Sequence, residues 1–267
     1  MKKKINYILN IEKKNSQKRI IIIICVLSII GLFLLHSGIF NIFNIYNGIP
    51  SLFKILDEML PPNFSNFQEW VYPVFESISM SISATFVAAL IAFPLALLAA
   101  KNTCTNLIIY YILRFFLSIF RSIPEIILGI LIVVTVGFGI ISGTLAITIH
   151  SIGMLGKFFS ESIERSNNEI TEIIVATGAS KKYIISFGII PQVLQEFIDL
   201  IMYRWEYNFR QSTILGMVGA GGIGLELITT IRLMQYDEVL ALLIIIFTLV
   251  SIIDFLSSKI REYFKKH

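Results

Sequence analysis

Four charged residues, Asp199, Arg204, Glu206 and Arg210, stand inside a stretch of chain long and apolar enough to cross a membrane. Charges in lipid are costly and are kept where they face an interior, a water-filled path or one another. At about 100° per residue, Asp199, Glu206 and Arg210 fall within about 40° of one another on a helix. Tyr203 and Thr213 lie close to that stripe, and Arg204 points to a different face. Glu206 and Arg210 are spaced i, i+4 in the favourable order, which predicts that they pair. Two chemistries follow. A guanidinium matches phosphoryl oxygens in geometry and charge, so Arg204 and Arg210, with Glu206 beside them, are candidates for lining an oxyanion path. Alternatively, the four charges pair across helices or across a dimer interface and hold the fold.

A second motif is Gly219-Ala220-Gly221-Gly222-Ile223-Gly224, which satisfies GxGxxG. A dinucleotide site needs a preceding strand within a βαβ unit, whereas this run follows a membrane span. Together with Gly216, these glycines instead suit close helix packing or a flexible backbone lining a cavity. No GxxxxGK[ST] pattern occurs, so the chain lacks the phosphate-cradling loop of an ATPase. His36 and His150 are isolated in apolar surroundings and read as packed or hydrogen-bonded residues. Cys25 and Cys104 are too few and too differently placed for a disulfide framework, and no His/Cys/Asp cluster has metal-ligand spacing. Neither a Ser-His-Asp set nor a paired-carboxylate arrangement can be drawn from the chain.

Elements must hold these charges, and composition says which. The chain has 267 residues, of which 55% are hydrophobic and only 15% charged, with a mean hydropathy of +0.78. Soluble domains carry about 25% charged residues, so this chain belongs in a bilayer. Stretches free of Asp, Glu, Lys and Arg run from Ile20 to Phe53, Ser77 to Ala100 and Ile126 to Gly156. Each meets the roughly 20 residues needed to cross the hydrocarbon core. Spans are expected near 20–40, 76–100, 108–138, 144–163, 193–215 and 236–257, giving an all-α polytopic bundle of about six transmembrane helices. The first is longer than a signal-peptide core and reads as a retained helix. Pro94 should kink the second span. Ser122-Ile123-Pro124 should divide the third into an amphipathic helix ending near Arg121 and a span starting near Pro124, loosening at Gly137, Gly139 and Gly143.

Basic residues collect in the head (Lys2, Lys3, Lys4, Lys13, Lys14, Lys18, Arg19), around Lys101, Arg114 and Arg121, around Lys157, Arg165, Lys181 and Lys182, and in the tail. The intervening segments hold only Lys54 and Arg232 among several acids. By the positive-inside rule both termini are cytoplasmic, and the net charge of +4 reflects topology rather than nucleic-acid binding. The expected organisation is a basic arm at 1–19, an extra membrane helix and external loop at 20–69, and a transmembrane domain at 70–267.

Between the fourth and fifth spans, at about 165–192, Ile173, Ile174, Ala176, Tyr183, Ile184, Phe187 and Ile190 give apolar faces to two short helices. Thr177-Gly178-Ala179-Ser180 lies between them, with Gly178 permitting a left-handed turn and Ser180 placed to cap the next helix. Pro191 is expected to close the second helix. Read from periodicity alone, this is either a knob that docks in a partner cleft, with Glu172, Lys181 and Lys182 fixing register, or an ordinary amphipathic hairpin.

The segment Glu172 to Gln192 resembles the coupling loop of ABC-importer permeases, whose signature is Glu-Ala-Ala, then Gly, then Ile-x-Leu-Pro at fixed spacing. Glu172, Gly178 and Pro191 fall at matching positions; Ile173 and Ile174 replace the alanines, Gly188 takes the Ile position and Ile190 replaces Leu. The segments Phe120 to Glu125, His150 to Lys157, Arg204 to Arg210 and Leu215 to Gly224 resemble the permease subunit of phosphonate ABC importers. The likeness runs from about Tyr72 to the C-terminus. It implies a methionine-importer-like permease fold in a bacterial-type cytoplasmic membrane, working by alternating access as a homodimer. Its partners would be a second copy of itself, two ABC ATPase subunits and an extracytoplasmic phosphonate-binding protein. This chain would bind no cofactor, with ATP and Mg held by the ATPase. Coupling would fall to Glu172, Ala176, Gly178, Ala179, Lys181 and Pro191, and gate movement to Gly216, Gly219, Gly221, Gly222 and Gly224. Phosphate, phosphite or methionine are alternative solutes. An intramembrane lipid enzyme, built from Glu161, Glu164, Glu206 and His150, is the alternative of different class.

Overall fold

The computed structural model describes residues 2–40 and 42–266, and all of its regular structure is helical. Chain contacts divide it into two units, Met1–Glu58 and Met59–His267. The first holds α1 (Lys2–His36) and α2 (Ile42–Met59), whose last residue begins the second unit. The apolar part of α1, Lys18–His36, is long enough to span a bilayer. The expected external loop is largely helical: Ile45, Ile49, Leu52, Phe53 and Leu56 recur at helical spacing, which favours α2 over open chain.

The second unit contains α3 (Phe67–Leu98), α4 (Leu107–Ser122), α5 (Glu125–Val136), α6 (Ile140–Glu164) and α7 (Asn168–Ala176). After a turn, α8 (Lys181–Tyr183) leads through a π-helical stretch, Ile184–Ile189, into α9 (Ile190–Leu215). A second π-helical stretch, Gly216–Ala220, precedes α10 (Ile223–Arg232) and α11 (Tyr236–Lys266). Among the described residues five helices are long and apolar enough to cross a membrane, or six crossings if α4 and α5 count as one bent span.

The third expected span is broken as its Pro124 dictates: α4 and α5 meet at 87°. Proline removes a backbone donor and excludes helical geometry from Ile123, whose ψ of 122° is extended. Backbone opens again at Gly137 and Gly139, but Gly143 lies inside α6, packed against Met80 and Ala220, and loosens nothing. Pro94 does not end α3, which continues to Leu98. Pro191 corrects the expectation more clearly. It closes no helix but sits in the first turn of α9, where its missing N–H is harmless. The preceding π-helical turns absorb the register that its ring would otherwise disturb. Residues Lys181–Ala220 therefore form one span-length helical run.

Small residues set the packing. Ala84, Ala88, Ala92 and Ala96 repeat every fourth residue on α3 and are fully buried, the first in the cluster around Met80 and Ala146, the others with Leu155, Phe159 and Ile163 of α6 and Phe197 of α9. Lipid supplies no hydrophobic drive between helices, so close backbone approach and dispersion hold such pairs. Gly153 and Gly156 of α6 serve α4 likewise: a Cβ on Gly153 would stand 2.8 Å from the Arg121 amide nitrogen. At the other end, Trp70, Ile223, Leu227, Val239 and Leu242 form a further cluster joining α3, α10 and α11.

Candidate functional site

Three groups of residues carry chemistry: a buried ionic network, a ladder of ion pairs, and an exposed hairpin. The network centres on Arg204, which α9 turns inward to 4% exposure. Its guanidinium Nη2 donates to Glu125 Oε1, and its Nε donates to Ser151 Oγ at 2.9 Å. His150 joins through Nδ1, in contact with Glu125 Oε1 and 2.8 Å from Arg204 Nη2. Its Nε2 lies 3.2 Å from the Arg121 carbonyl, which ties the ring to the end of α4. Asn208, one turn beyond Arg204, donates to Thr85 Oγ1 at 2.8 Å and to Ser151 Oγ at 3.1 Å. The Arg204 guanidinium also lies 4.5 Å from the Tyr207 ring centre, a cation–π contact. Four helices, α3, α5, α6 and α9, are thus tied together by side chains, and of the network's fully buried polar atoms Glu125 Oε2 is the one without a partner among the described residues.

Asp199, Glu206 and Arg210 do share one face, as the helical arithmetic requires, and that face meets α11. Lys265 Nζ approaches Asp199 at 3.6 Å, Arg261 reaches Glu206 at 2.7 Å, and Arg210 Nη2 holds both Asp254 oxygens at 2.9 Å. Residues 199–210 and 254–265 cover the same length, about 16 Å at 1.5 Å per residue, so the outer two rungs of the antiparallel helices lie level while the Glu206–Arg261 rung is slanted by about three residues. The expected Glu206–Arg210 pair is absent because each side chain has a better-placed partner across the helix boundary than along its own helix. Every charge of the fifth span is compensated within this chain.

The hairpin follows α6 directly. Asn167 caps α7, its Oδ1 accepting from the Glu169 amide at 2.8 Å, and its own amide donates to Gln192 Oε1 at 2.8 Å. Arg165 pairs with Glu196, closing the base. Gly178 makes the turn at φ +76°, a left-handed conformation that disfavours a side chain although the space around it is open. Ser180 stands at the N-cap position with extended backbone, but its side chain makes no capping bond. No residue of α7 is buried: Glu172 and Ala176 are exposed, as are Lys181 and Pro191, while Ala179 is half-buried. Ile173, Val175, Tyr183 and Phe187 stand exposed, the last two with rings stacked 6.2 Å apart.

The glycine run packs tightly. Gly219, Gly221 and Gly222 all have positive φ. A Cβ on Gly224 would collide with the Thr213 carbonyl, and one on Gly216 would sit 2.5 Å from the Gly221 oxygen. The freed amides find partners: Gly222 N–H donates to Glu76 Oε2 at 2.8 Å, Ile223 N–H to Ser77 Oγ at 3.0 Å, and Gly139 N–H to the Gly219 oxygen at 3.1 Å. Nearby, burial and then the carboxylates of Glu69 and Glu76 hold the Glu226 carboxyl above the usual range.

Sequence reasoning set His150 aside as an isolated residue and assigned Glu125 no role. The available signal was an acid directly after Pro124 at the head of an apolar run, which needs a cation, and Arg204 was the deepest one on offer. Glu161, Glu164, Glu206 and His150 do not assemble into an enzyme site: they face Lys157, Arg114, Arg261 and Glu125 respectively. Among the described residues no three His, Cys, Asp or Glu side chains come together as metal ligands.

The sequence pattern of the family described as binding-protein-dependent transport system inner membrane component matches residues 69–266. The phosphite transport system permease protein PtxC of Stutzerimonas stutzeri is 40% identical over 230 residues, covering 86% of this chain and 84% of that protein. A relative in Escherichia coli K12 named for cryptic phosphonate transport, the permease protein PhnE2, is 44% identical over 120 residues, 45% of this chain and 98% of its own. Among solved structures, the MetNI methionine ABC transporter in an inward-facing conformation superposes with a TM-score of 0.66 at 22% identity, over 73% of this chain and 95% of the other.

Proposed function

Since the chain belongs to the family of binding-protein-dependent transport system inner membrane components, an ABC permease subunit rather than an enzyme, we propose that its cargo is a phosphorus oxyanion. Phosphite or a phosphonate is carried through a homodimer of this chain by alternating access. The observation that carries the substrate class is the 40% identity to a phosphite permease across most of both chains. Two ABC ATPase subunits, holding ATP and Mg, drive the cycle, and an extracytoplasmic binding protein delivers the anion. Both termini and the hairpin are cytoplasmic, in keeping with the distribution of Lys and Arg.

Force enters at the hairpin. Glu172, Ala176, Ala179 and Lys181 contact the ATPase beside the exposed Ile173, Tyr183 and Phe187; Gly178 makes the turn and Pro191 seats the base. Two routes lead inward: the Asn167–Gln192 and Arg165–Glu196 contacts lock the hairpin to α9, and α6 continues into it. The helices then move as bodies, and Gly216, Gly219, Gly221, Gly222 and Gly224 allow the gate segment to repack. Arg204, Glu206 and Arg210 serve this rigidity through their partners on α5 and α11 rather than by holding the anion, because each is already neutralised.

Uptake by cells with and without this chain tests the substrate class. Loss of phosphite or methylphosphonate uptake with methionine uptake intact is expected, and unchanged uptake of phosphite, methylphosphonate and phosphate would refute it. R210Q should leave phosphite uptake within about fivefold of wild type, since its exposed pair is worth at most about 1 kcal/mol.

A further inference from the structure

A cleft of about 280 Å³ lies between α4 and the C-terminal half of α6, lined by Arg114, Leu117, Ser118, Arg121, Lys157, Ser160 and Glu161. It shares no lining side chain with the hairpin surface and meets the Arg204 network only through the Arg121 carbonyl. Its walls carry three cations against one carboxylate. Arg114 is committed, donating to Glu164 Oε2 at 2.8 Å and to the Ala99 carbonyl at 3.0 Å, and Lys157 lies 3.4 Å from Glu161. Arg121 differs. The residue as a whole is half-buried, and among the described residues its guanidinium has neither a hydrogen-bond acceptor nor a carboxylate. Its backbone is fixed where it stands, with the carbonyl against His150 and the amide packed on Gly153. Ser118 and Ser160 also line the cleft, but their hydroxyls already donate to the Arg114 and Lys157 carbonyls at 2.7 and 2.8 Å, which leaves Arg121 as the uncommitted donor.

We propose that this cleft binds a phosphoryl group, with Arg121 as its principal donor. A guanidinium with no acceptor, on a half-buried arginine, calls for an anion, and its planar fork matches two phosphoryl oxygens where an ammonium would offer a point charge. Glu161 does not oppose this, being occupied by Lys157. The phosphoryl group has two sources. Beside Ser118 on α4, at the flank of the cleft, Tyr111 and Phe115 stand exposed, so an anionic phospholipid would lay its chains there with its headgroup in the cleft. A free oxyanion could enter the same cleft from water. Either ligand would brace α4 against the end of α6, from which α7 emerges.

The test uses the full chain purified in detergent and stripped of lipid, titrated separately with inorganic phosphate and with phosphatidylglycerol, the latter read by native mass spectrometry. Wild type should bind at least one probe, R121Q should weaken that binding at least tenfold, and R121K should fall between. Ser118 is exposed, so S118D tests the same cleft without removing a cation, should R121Q fail to fold; it should also abolish binding. R232Q, on α10, should leave it unchanged. Arg121-dependent binding of phosphatidylglycerol alone identifies a lipid headgroup, and Arg121-dependent binding of phosphate identifies the free anion. Equal affinities of wild type, R121Q and S118D for both probes would overturn the site.

Discussion

At the residue scale the decisive group is Arg204, a charge buried to 4% exposure whose cost is met by Glu125. Removing one partner of such a pair strands the other in a low-dielectric interior, at about 3–5 kcal/mol. R204M and E125L should therefore each lower the melting temperature of the detergent-solubilised protein sharply, whereas the combined R204M and E125L variant should recover much of the loss. Additive losses in that double-mutant cycle would show that the two residues are not coupled. Glu226 gives a prediction in pH. Its raised pKa, from burial and then Glu69 and Glu76, means that the folded state holds the proton more readily than the unfolded chain. Stability contributed there is present below the ordinary carboxylate range and lost as pH rises through the raised value. E226Q should flatten the fall in melting temperature as pH rises above the ordinary carboxylate range and raise it at the upper end; an unaltered profile would dismiss the carboxylate cluster as its cause.

Hairpin and ladder belong to the scale of elements. Gly178 sits at φ +76° in open space, so an alanine there meets no neighbour and suffers only the left-handed backbone, about 1–2 kcal/mol. G178A should insert and fold normally, yet stimulate less ATP hydrolysis on addition of binding protein, and G178P should lose the ATPase on co-purification. Full retention of the ATPase by G178P would remove the hairpin from the coupling route. Gly224 contrasts with it: no left-handed strain is at issue, but a Cβ would strike the Thr213 carbonyl, so G224A should fail to assemble, visible as loss of the monodisperse peak on size exclusion. Between α9 and α11 the three rungs fix register, and because they are mostly half-exposed no single rung should matter as much as Arg204.

For the molecule as a whole, the proposed topology with a cytoplasmic hairpin can be read by chemical labelling. With Cys25 and Cys104 replaced by serine, a cysteine at the exposed Ser180 should react with a membrane-impermeant maleimide only in inverted vesicles, and one at the exposed Thr229 only in intact cells. Labelling of Ser180→Cys from outside would reverse the topology and with it the proposed coupling to a cytoplasmic ATPase. Much of this was legible in the chain itself. Apolar length and helical period announced the spans, Pro124 announced the α4–α5 break, and the angular arithmetic put Asp199, Glu206 and Arg210 on one face, because all of these depend on local geometry that the backbone repeats every turn. Partners were not legible. Glu206 chose Arg261 over Arg210, Arg204 found Glu125 and His150, and the π-helical turns carried Pro191 into a continuous helix. Those outcomes rest on how close two helices come and in what register, distances set by alanines and glycines on faces far apart in sequence, and only the folded chain brings them together.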